Sequence, residues 1–542
     1  MTLVTAALIV LAVVGSNAFQ FWDPAEEFPQ LNTYFDNNYI GQSFETLQEK
    51  HPDLVKISSL GKTPGDNDIH EITITSDVSN WQTANKPSVK YVANMHGNEV
   101  RGRGLLLKFA YYLAMSYESD QDVRDIMATT VFHLLPTINP DGFATATKSC
   151  SGVDGRYTSD GTDMNRDFPS SWQSGTRLKF ANETKMLMNY ATRVPAVLGI
   201  SFHDGALVTN YPWDGVPDIL SGKYAASPDD ALFITMAKTY SLNHKSMSKR
   251  AAQCGQDDFK DGITNGNKWY KVFNGMQDWN YMYNDCFEVT IELGCCKYPS
   301  DAADTFGKVW SDNFNSILKF SKLANSGVKG RATDYFGNPL TDVTITVSGI
   351  NKTTKVRHPE GYYWRPLLGG TYNISASKHG YYTLARKSIV VREEEPTQID
   401  FILIPKSQGG DDEDKIQNES GPGPENYREV DGESGREKQM TRTTTLPPRL
   451  EKTRPPSSFS SSLPLSSSLP FSHSLFSSPF TTVYIDNVPR HDTGVIEDDT
   501  TENDTTEDDT TENGTTNNTY QDDPTNFVVL FSIMFNVFSA FW

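Results

Sequence analysis

From Gln20 to about Asn325 the chain alternates short apolar, β-branched runs with amphipathic segments, the pattern of strands and helices stacked in α/β layers. Residues 88–94, 130–135, 197–202 and 287–293 are predicted to be buried strands, and 105–117, 229–247 and 305–323 helices. In the last of these, Phe306, Val309, Trp310, Phe314 and Ile317 recur every three or four residues and so share one apolar face. Near Gly327 the pattern changes. Short alternating strands at 343–347, 372–377, 389–391 and 399–404, punctuated by Gly-Asn-Pro, Gly-Gly-Thr and His-Gly, predict a small β-sandwich that ends near Pro405.

After Lys406 the apolar periodicity stops. Residues 407–456 are rich in charge, Gly and Pro, 457–480 are rich in Ser, and the pentad Asp-Thr-Thr-Glu followed by Asn or Asp recurs between Asp499 and Asn513. Such composition buries too little apolar surface to offset the entropy of ordering, so 406–513 are expected to form a disordered Ser/Thr/Pro-rich acidic stalk. Both ends of the chain are apolar. Residues 3–14 followed by Ser16-Asn17-Ala18 have the form of a secretory signal with cleavage after Ala18. Residues 527–542, preceded by a polar spacer and the small cluster Asn513-Gly514-Thr515, have the form of a glycosylphosphatidylinositol attachment signal, giving a removed segment 514–542. A spanning helix would need about 20 apolar residues and usually a basic stop.

Composition narrows the picture. The 542 residues carry a net charge of −20, which argues against nucleic acid as a partner. Twelve acidic and no basic residues fall between His491 and Asn526, so most of that charge belongs to the stalk. On a secreted chain the sequons at Asn182, Asn351, Asn373, Asn418, Asn503, Asn513 and Asn517 are credible glycan acceptors. The five cysteines, Cys150, Cys254, Cys286, Cys295 and Cys296, favour disulfides with at least one thiol left over.

The candidate chemistry lies at two strand ends. The first predicted strand delivers Met95-His96-Gly97-Asn98-Glu99, and another ends in Ser201-Phe202-His203-Asp204-Gly205. Open α/β sheets place their ligands at such carboxyl ends. Two His and one Glu form a three-donor zinc site with a fourth position open, a set used in peptide hydrolysis.

The blocks His96-Gly97-Asn98-Glu99, Asn139-Pro140-Asp141-Gly142, Asn165-Arg166-Asp167-Phe168-Pro169, Gly262-Ile263-Thr264-Asn265-Gly266 and Phe287-Glu288-Val289-Thr290-Ile291-Glu292-Leu293 follow in order. With these the chain resembles the zinc metallocarboxypeptidases of the carboxypeptidase N/E type, from about Phe35 to Pro405. The resemblance implies a mixed β-sheet flanked by helices over 19–325, then a transthyretin-like all-β domain over 326–405. It implies one Zn²⁺ per chain held by His96, Glu99 and His203, with Glu292 as general base and Arg156 polarising the scissile carbonyl. Asn165 and Arg166 would bind the substrate's terminal carboxylate, and Tyr270 would cover it. Asp214, with Gln277, would select a C-terminal Arg or Lys, with Trp213 and Tyr211 lining the pocket.

Three further expectations follow. The resemblance favours a Cys254–Cys296 disulfide. Gly104 stands where the subfamily usually has Glu, and Asp167 replaces a common Asn, adding negative charge beside the carboxylate-binding pair. The expected protein is a monomeric, membrane-anchored enzyme of the outer cell surface acting on peptides with C-terminal Arg or Lys. A catalytically silent surface-binding protein and a transmembrane enzyme of the secretory pathway are the competing readings.

Overall fold

The computed structural model describes residues 19–406 apart from 171, 173–178, 256 and 394, together with the backbone of 417–418. The signal segment, the anchor segment, the sequons beyond Asn418 and all of the stalk except 406 and the backbone of 417–418 lie outside the described residues; within the span expected to be disordered, Gln417–Asn418 forms a short strand. The acceptor asparagines Asn182, Asn351 and Asn373 are all exposed.

An eight-stranded mixed sheet forms the centre of the first domain. Its strands are β1 (Val55–Lys62), β2 (Asp68–Ile74), β3 (Ser88–Ala93), β4 (Val131–Leu135), β5 (Leu198–His203), β6 (Leu207–Tyr211), β7 (Ile263–Asn265) and β8 (Phe287–Leu293). Their order across the sheet is β1-β2-β4-β3-β5-β8-β6-β7. The four central strands β4, β3, β5 and β8 run parallel and are buried along their whole length, and β2 on one side and β6 on the other pair with them antiparallel. Strands buried on both faces have no polar side to show, which is why these four were legible as apolar runs. β1 was not, because its residues are mostly part-exposed and polar.

Helices α1 (Asn37–Lys50), α2 (Arg101–Ser116), α3 (Gln121–Thr129), α4 (Pro140–Thr145), α5 (Asn182–Arg193), α6 (Asp230–Asn243), α7 (Gly266–Trp269), α8 (Met276–Tyr283) and α9 (Ala302–Lys322) accompany the sheet. The apolar face of α9 packs Trp310 and Phe314 against Tyr112 of α2, the one helix buried on nearly every side. α2 begins a turn before the predicted 105, since its polar residues are buried too. Arg103 lies 3.7 Å over the Phe143 ring and donates to Asn94 Oδ1 and the Phe35 carbonyl, and Lys108 donates to Asn32 Oδ1. Gly104 has its reason here. A Cβ at that position would overlap the Phe306 ring of α9, so the crossing of α2 and α9 leaves no room for the Glu usual in the subfamily.

The second domain is a β-sandwich. One sheet runs β11 (Thr353–Lys355), β10 (Thr344–Val347), β13 (Gly370–Ser377), β14 (Leu384–Val391) and β17 (Gln417–Asn418). The other runs β12 (Tyr362–Arg365), β9 (Val328–Asp334) and β15 (Thr397–Gln398), with β16 (Phe401–Leu403) also on β9. Val328, Val343, Ile345, Ile374, Phe401 and Leu403 fill the space between them, the inward positions of a period-two pattern.

The disulfides differ from the expected pairing. They are Cys150–Cys296 and Cys254–Cys295, and Cys286 is free and buried. The Lys297 and Tyr298 amides donate to the Cys150 and Ser149 carbonyls, laying residues 149–150 alongside 297–298. That register puts Cys296 against Cys150 and leaves its neighbour Cys295 to Cys254.

Candidate active site

Three adjacent parallel strands converge on one cavity. β3 leads into His96 and Glu99, β5 ends at His203, and β8 carries Glu292 one residue before its end, with Glu292 in register with His203. The loop from Asn94 to Glu99 is held from within, since the Asn94 amide donates to the His96, Gly97 and Glu99 carbonyls. His96 Nδ1 lies 3.0 Å and His203 Nδ1 2.8 Å from Glu99 Oε2. All three side chains are buried, and their donor atoms lie within 4.8 Å of one another. Burial alone would raise the Glu99 carboxyl, but the two imidazoles outweigh it and hold it well below the ordinary carboxylate range. Two imidazoles and a carboxylate, buried together, are the donor set that Zn²⁺ takes, so these residues fit the metal. No other such cluster occurs among the described residues.

Asp163 is the residue that sequence reasoning missed. It caps a short 3₁₀ turn, Met164–Arg166, and accepts the Asn165 amide through Oδ1. The same oxygen lies 3.0 Å from His96 Nε2, and Oδ2 accepts Arg156 Nη2 and Nε at 2.8 and 3.1 Å. One carboxylate thus fixes a metal donor, the candidate oxyanion-binding arginine and the turn that carries Asn165 and Arg166. Its only sequence signal is an acidic residue two before Asn165, a cap position. Lys297 was missed as well; its ammonium reaches Glu99 Oε1 at 2.9 Å.

Arg156, Asn165, Arg166, Asp214, Tyr270 and Glu292 all line a cavity of about 220 Å³ together with the donor triad. Arg156 Nη1 is 3.5 Å from Glu99 Oε1. Asn165 Oδ1 accepts the Met276 amide, and Arg166 Nη1 donates to the Asn165 carbonyl. Tyr270 follows α7 and is 45 % exposed at the rim, with its ring 4.8 Å from Trp269. Glu292 is buried, and burial, followed by the neighbouring Glu99 and Asp204 carboxylates, raises it well above the usual range.

Asp214 lies deep in the cavity wall, pushed up to about 6 chiefly by burial. Its Oδ1 accepts Asn210 Nδ2 at 2.8 Å and Gln277 Nε2 at 2.9 Å, and its amide donates to Asp278. Gly266 stands over this carboxylate, where a Cβ would overlap Oδ1. Gln277 is not itself on the cavity wall; it stands behind Asp214. Trp213 and Tyr211, expected at the pocket, are buried outside it, because the apolar side chains of this segment turn into the core. Asp167 also faces away. It is fully buried and accepts the Ala181 amide next to α5, so its charge does not enter the cavity.

Residues 40–316 match the family model described as zinc carboxypeptidase, and 327–404 match that of the carboxypeptidase regulatory-like domain. Carboxypeptidase D of Mus musculus is 38% identical over 372 residues, which cover 68% of this chain and 26% of that protein. Carboxypeptidase Z of Gallus gallus is 32% identical over 415 residues, 71% of this chain and 64% of that one. The chain therefore spans about a quarter of the first relative and under two thirds of the second. A solved carboxypeptidase A from Helicoverpa armigera aligns with a TM-score of 0.42 at 16% identity, covering 54% of this chain and 74% of that one.

Proposed function

The chain belongs to the zinc carboxypeptidase family, and from that premise we propose that it removes single C-terminal Arg or Lys residues from extracellular peptides and proteins. The observation that carries the substrate class is the position of Asp214, a buried carboxylate in the same cavity as the His96–Glu99–His203 triad, with Arg166 also on the wall. A peptide end entering there would place its carboxylate on Asn165 and Arg166, suited to the planar guanidinium. Its last side chain would then point to Asp214, where a guanidinium or ammonium gains charge pairing and a Phe or Leu leaves the acid unpaired.

When bound, Zn²⁺ supplies Lewis-acid polarisation and makes water acidic enough to be deprotonated near neutrality. Glu292 is the general base. It takes a proton from the attacking water and later gives it to the leaving amine, a role its raised affinity for protons suits. Arg156, held in place by Asp163, stabilises the negative charge on the carbonyl oxygen. Tyr270 at the rim closes over the bound end and excludes water.

Within the family we place the chain in the carboxypeptidase N/E branch, with an architecture of the carboxypeptidase M kind. In this reading it is a monomer tethered to the outer cell surface by a lipid anchor. The signal-like and anchor-like segments of the sequence support that location. No helix among the described residues is long and apolar enough to cross a membrane.

Hydrolysis of peptides ending in Arg, Lys, Phe and Leu, with Glu292→Gln as control, tests the activity. Equal turnover of Phe and Arg peptides removes the Asp214 argument, and undiminished activity in Glu292→Gln removes the mechanism. Release from membranes by a phosphatidylinositol-specific phospholipase tests the anchor.

A further inference from the structure

The β-sandwich reaches the specificity pocket through one helix. α8 carries Gln277 and Asp278 in its first turn and Tyr281 one turn later, so the three share a face. Gln277 binds the Asp214 carboxylate and Asp278 the Asp214 amide. Tyr281, fully buried, packs its ring 5.1 Å from that of Trp213, the residue before Asp214. One helical face thus holds the acid and its neighbour from three sides.

The other end of α8 is held by the second domain. Arg365, the last residue of β12, is fully buried and donates from Nη2 to Asp229 Oδ1 at 2.7 Å. Asp229 Oδ2 accepts the Tyr281 hydroxyl at 2.6 Å. Lys352 pairs with Asp285 and lies 5.5 Å over the Tyr281 ring, and Arg357 Nη2 donates to the Tyr283 carbonyl at 2.6 Å. Two cations of the second domain, Lys352 and Arg357, therefore meet the carboxyl end of α8, the end that favours positive charge, and Arg365 reaches the helix through Asp229. Arg365 and Asp229 are dry. Removing one would leave the other as an unpaired buried charge, and the Tyr281 hydroxyl would lose its fixed acceptor.

We propose that Arg365 is a positioning residue for substrate selection: through Asp229 and Tyr281 it fixes α8 and the Trp213–Asp214 segment that brings the acid to the cavity, so that the β-sandwich supports the specificity pocket from behind. The inference rests on the reading of Asp214 as the acid that meets the substrate's basic side chain. Its effect should fall on binding, not on the chemical step. Arg365 also stacks on Phe287 at the far end of β8, but Phe287 is five residues from Glu292, roughly 17 Å along the strand.

The test uses the full-length enzyme with peptides ending in Arg and in Phe. Arg365→Gln is expected to raise KM for the Arg peptide about tenfold, in the range that a small misplacement produces, with kcat within about twofold. Asp229→Asn in the same chain removes the orphaned charge and should bring KM back to within about threefold of wild type. Tyr281→Phe deletes only the linking hydroxyl, and should raise KM in the same direction even if Arg365→Gln fails to fold. Unchanged KM in a folded Arg365→Gln or in Tyr281→Phe overturns the proposal, as does a fall in kcat with KM unaltered. A wild-type enzyme that cleaves Phe and Arg peptides equally refutes the Asp214 reading instead. A selective wild type indifferent to both substitutions refutes this inference alone.

Discussion

His96 and Asp163 meet at 3.0 Å through Nε2 and Oδ1, on the edge of the ring opposite the nitrogen that faces Glu99. The contact fixes which ring nitrogen is free to meet a metal, and because Asp163 also holds Arg156 it ties the donor set to the oxyanion side of the cavity. Asp163→Ala is expected to weaken zinc retention by about 10–100-fold, as lost partners of metal-bound histidines do. Competition with a chromogenic chelator measures this without any turnover.

Glu292→Gln keeps the shape of the side chain and removes its proton affinity. kcat should fall by about 10²–10⁴ with KM and zinc content near wild type. Metal analysis alongside kinetics separates a lost base from a lost metal.

Asp214 titrates near 6 because burial disfavours its charge. The charged form, which attracts a basic side chain, prevails above that pH, and the neutral form below it. KM for Arg peptides should therefore rise as pH falls through about 6, while KM for a Phe peptide changes little. The Asn210 hydrogen bond and the Arg166 guanidinium oppose burial and favour its charged form, while the Asp214 charge in turn helps raise the neighbouring Asp278 carboxyl. In Asp214→Asn the pH dependence should vanish, with about 2–5 kcal/mol of binding to basic ends lost.

Gly266→Ala is expected to act on the same pocket from above. The added methyl overlaps Asp214 Oδ1, so the carboxylate must swing away from Asn210 and Gln277. Loss of Arg-over-Phe selectivity is the expected result, together with a lowered melting temperature, because the methyl also meets the Asp214 Cα.

Gly104→Ala tests the helix crossing. With the Phe306 ring in the way, overpacking of about 1–3 kcal/mol should lower the melting temperature while selectivity stays intact.

Much of this architecture was legible because burial on two faces leaves an unbroken apolar run. The β3, β4, β5 and β8 runs showed themselves that way, and α9 by its single apolar stripe. β1 and β2 did not, since an edge hairpin mixes polar and apolar positions. The buried Arg103 hid the first turn of α2, because a charged residue reads as surface until its partners are known. At the cavity, residues with distinctive neighbours such as His96, Glu99 and Glu292 stood out in sequence. Asp163 did not, because its importance lies in what it touches, and His96 is 67 positions away. The disulfide pairing failed for a related reason: adjacent Cys295 and Cys296 are interchangeable in sequence, and only the strand register beside Ser149 and Cys150 separates them.

The order in which the cavity's parts occur along the chain has a consequence for biosynthesis. All three metal donors have been synthesised once His203 is made, the base follows at Glu292, and the cation proposed to pin α8 comes last, at Arg365. Domains tend to fold as they emerge, amino end first. The first domain, donors and base together, can then form before the β-sandwich is complete, and on the proposal above its selectivity is finished only when that second domain has folded.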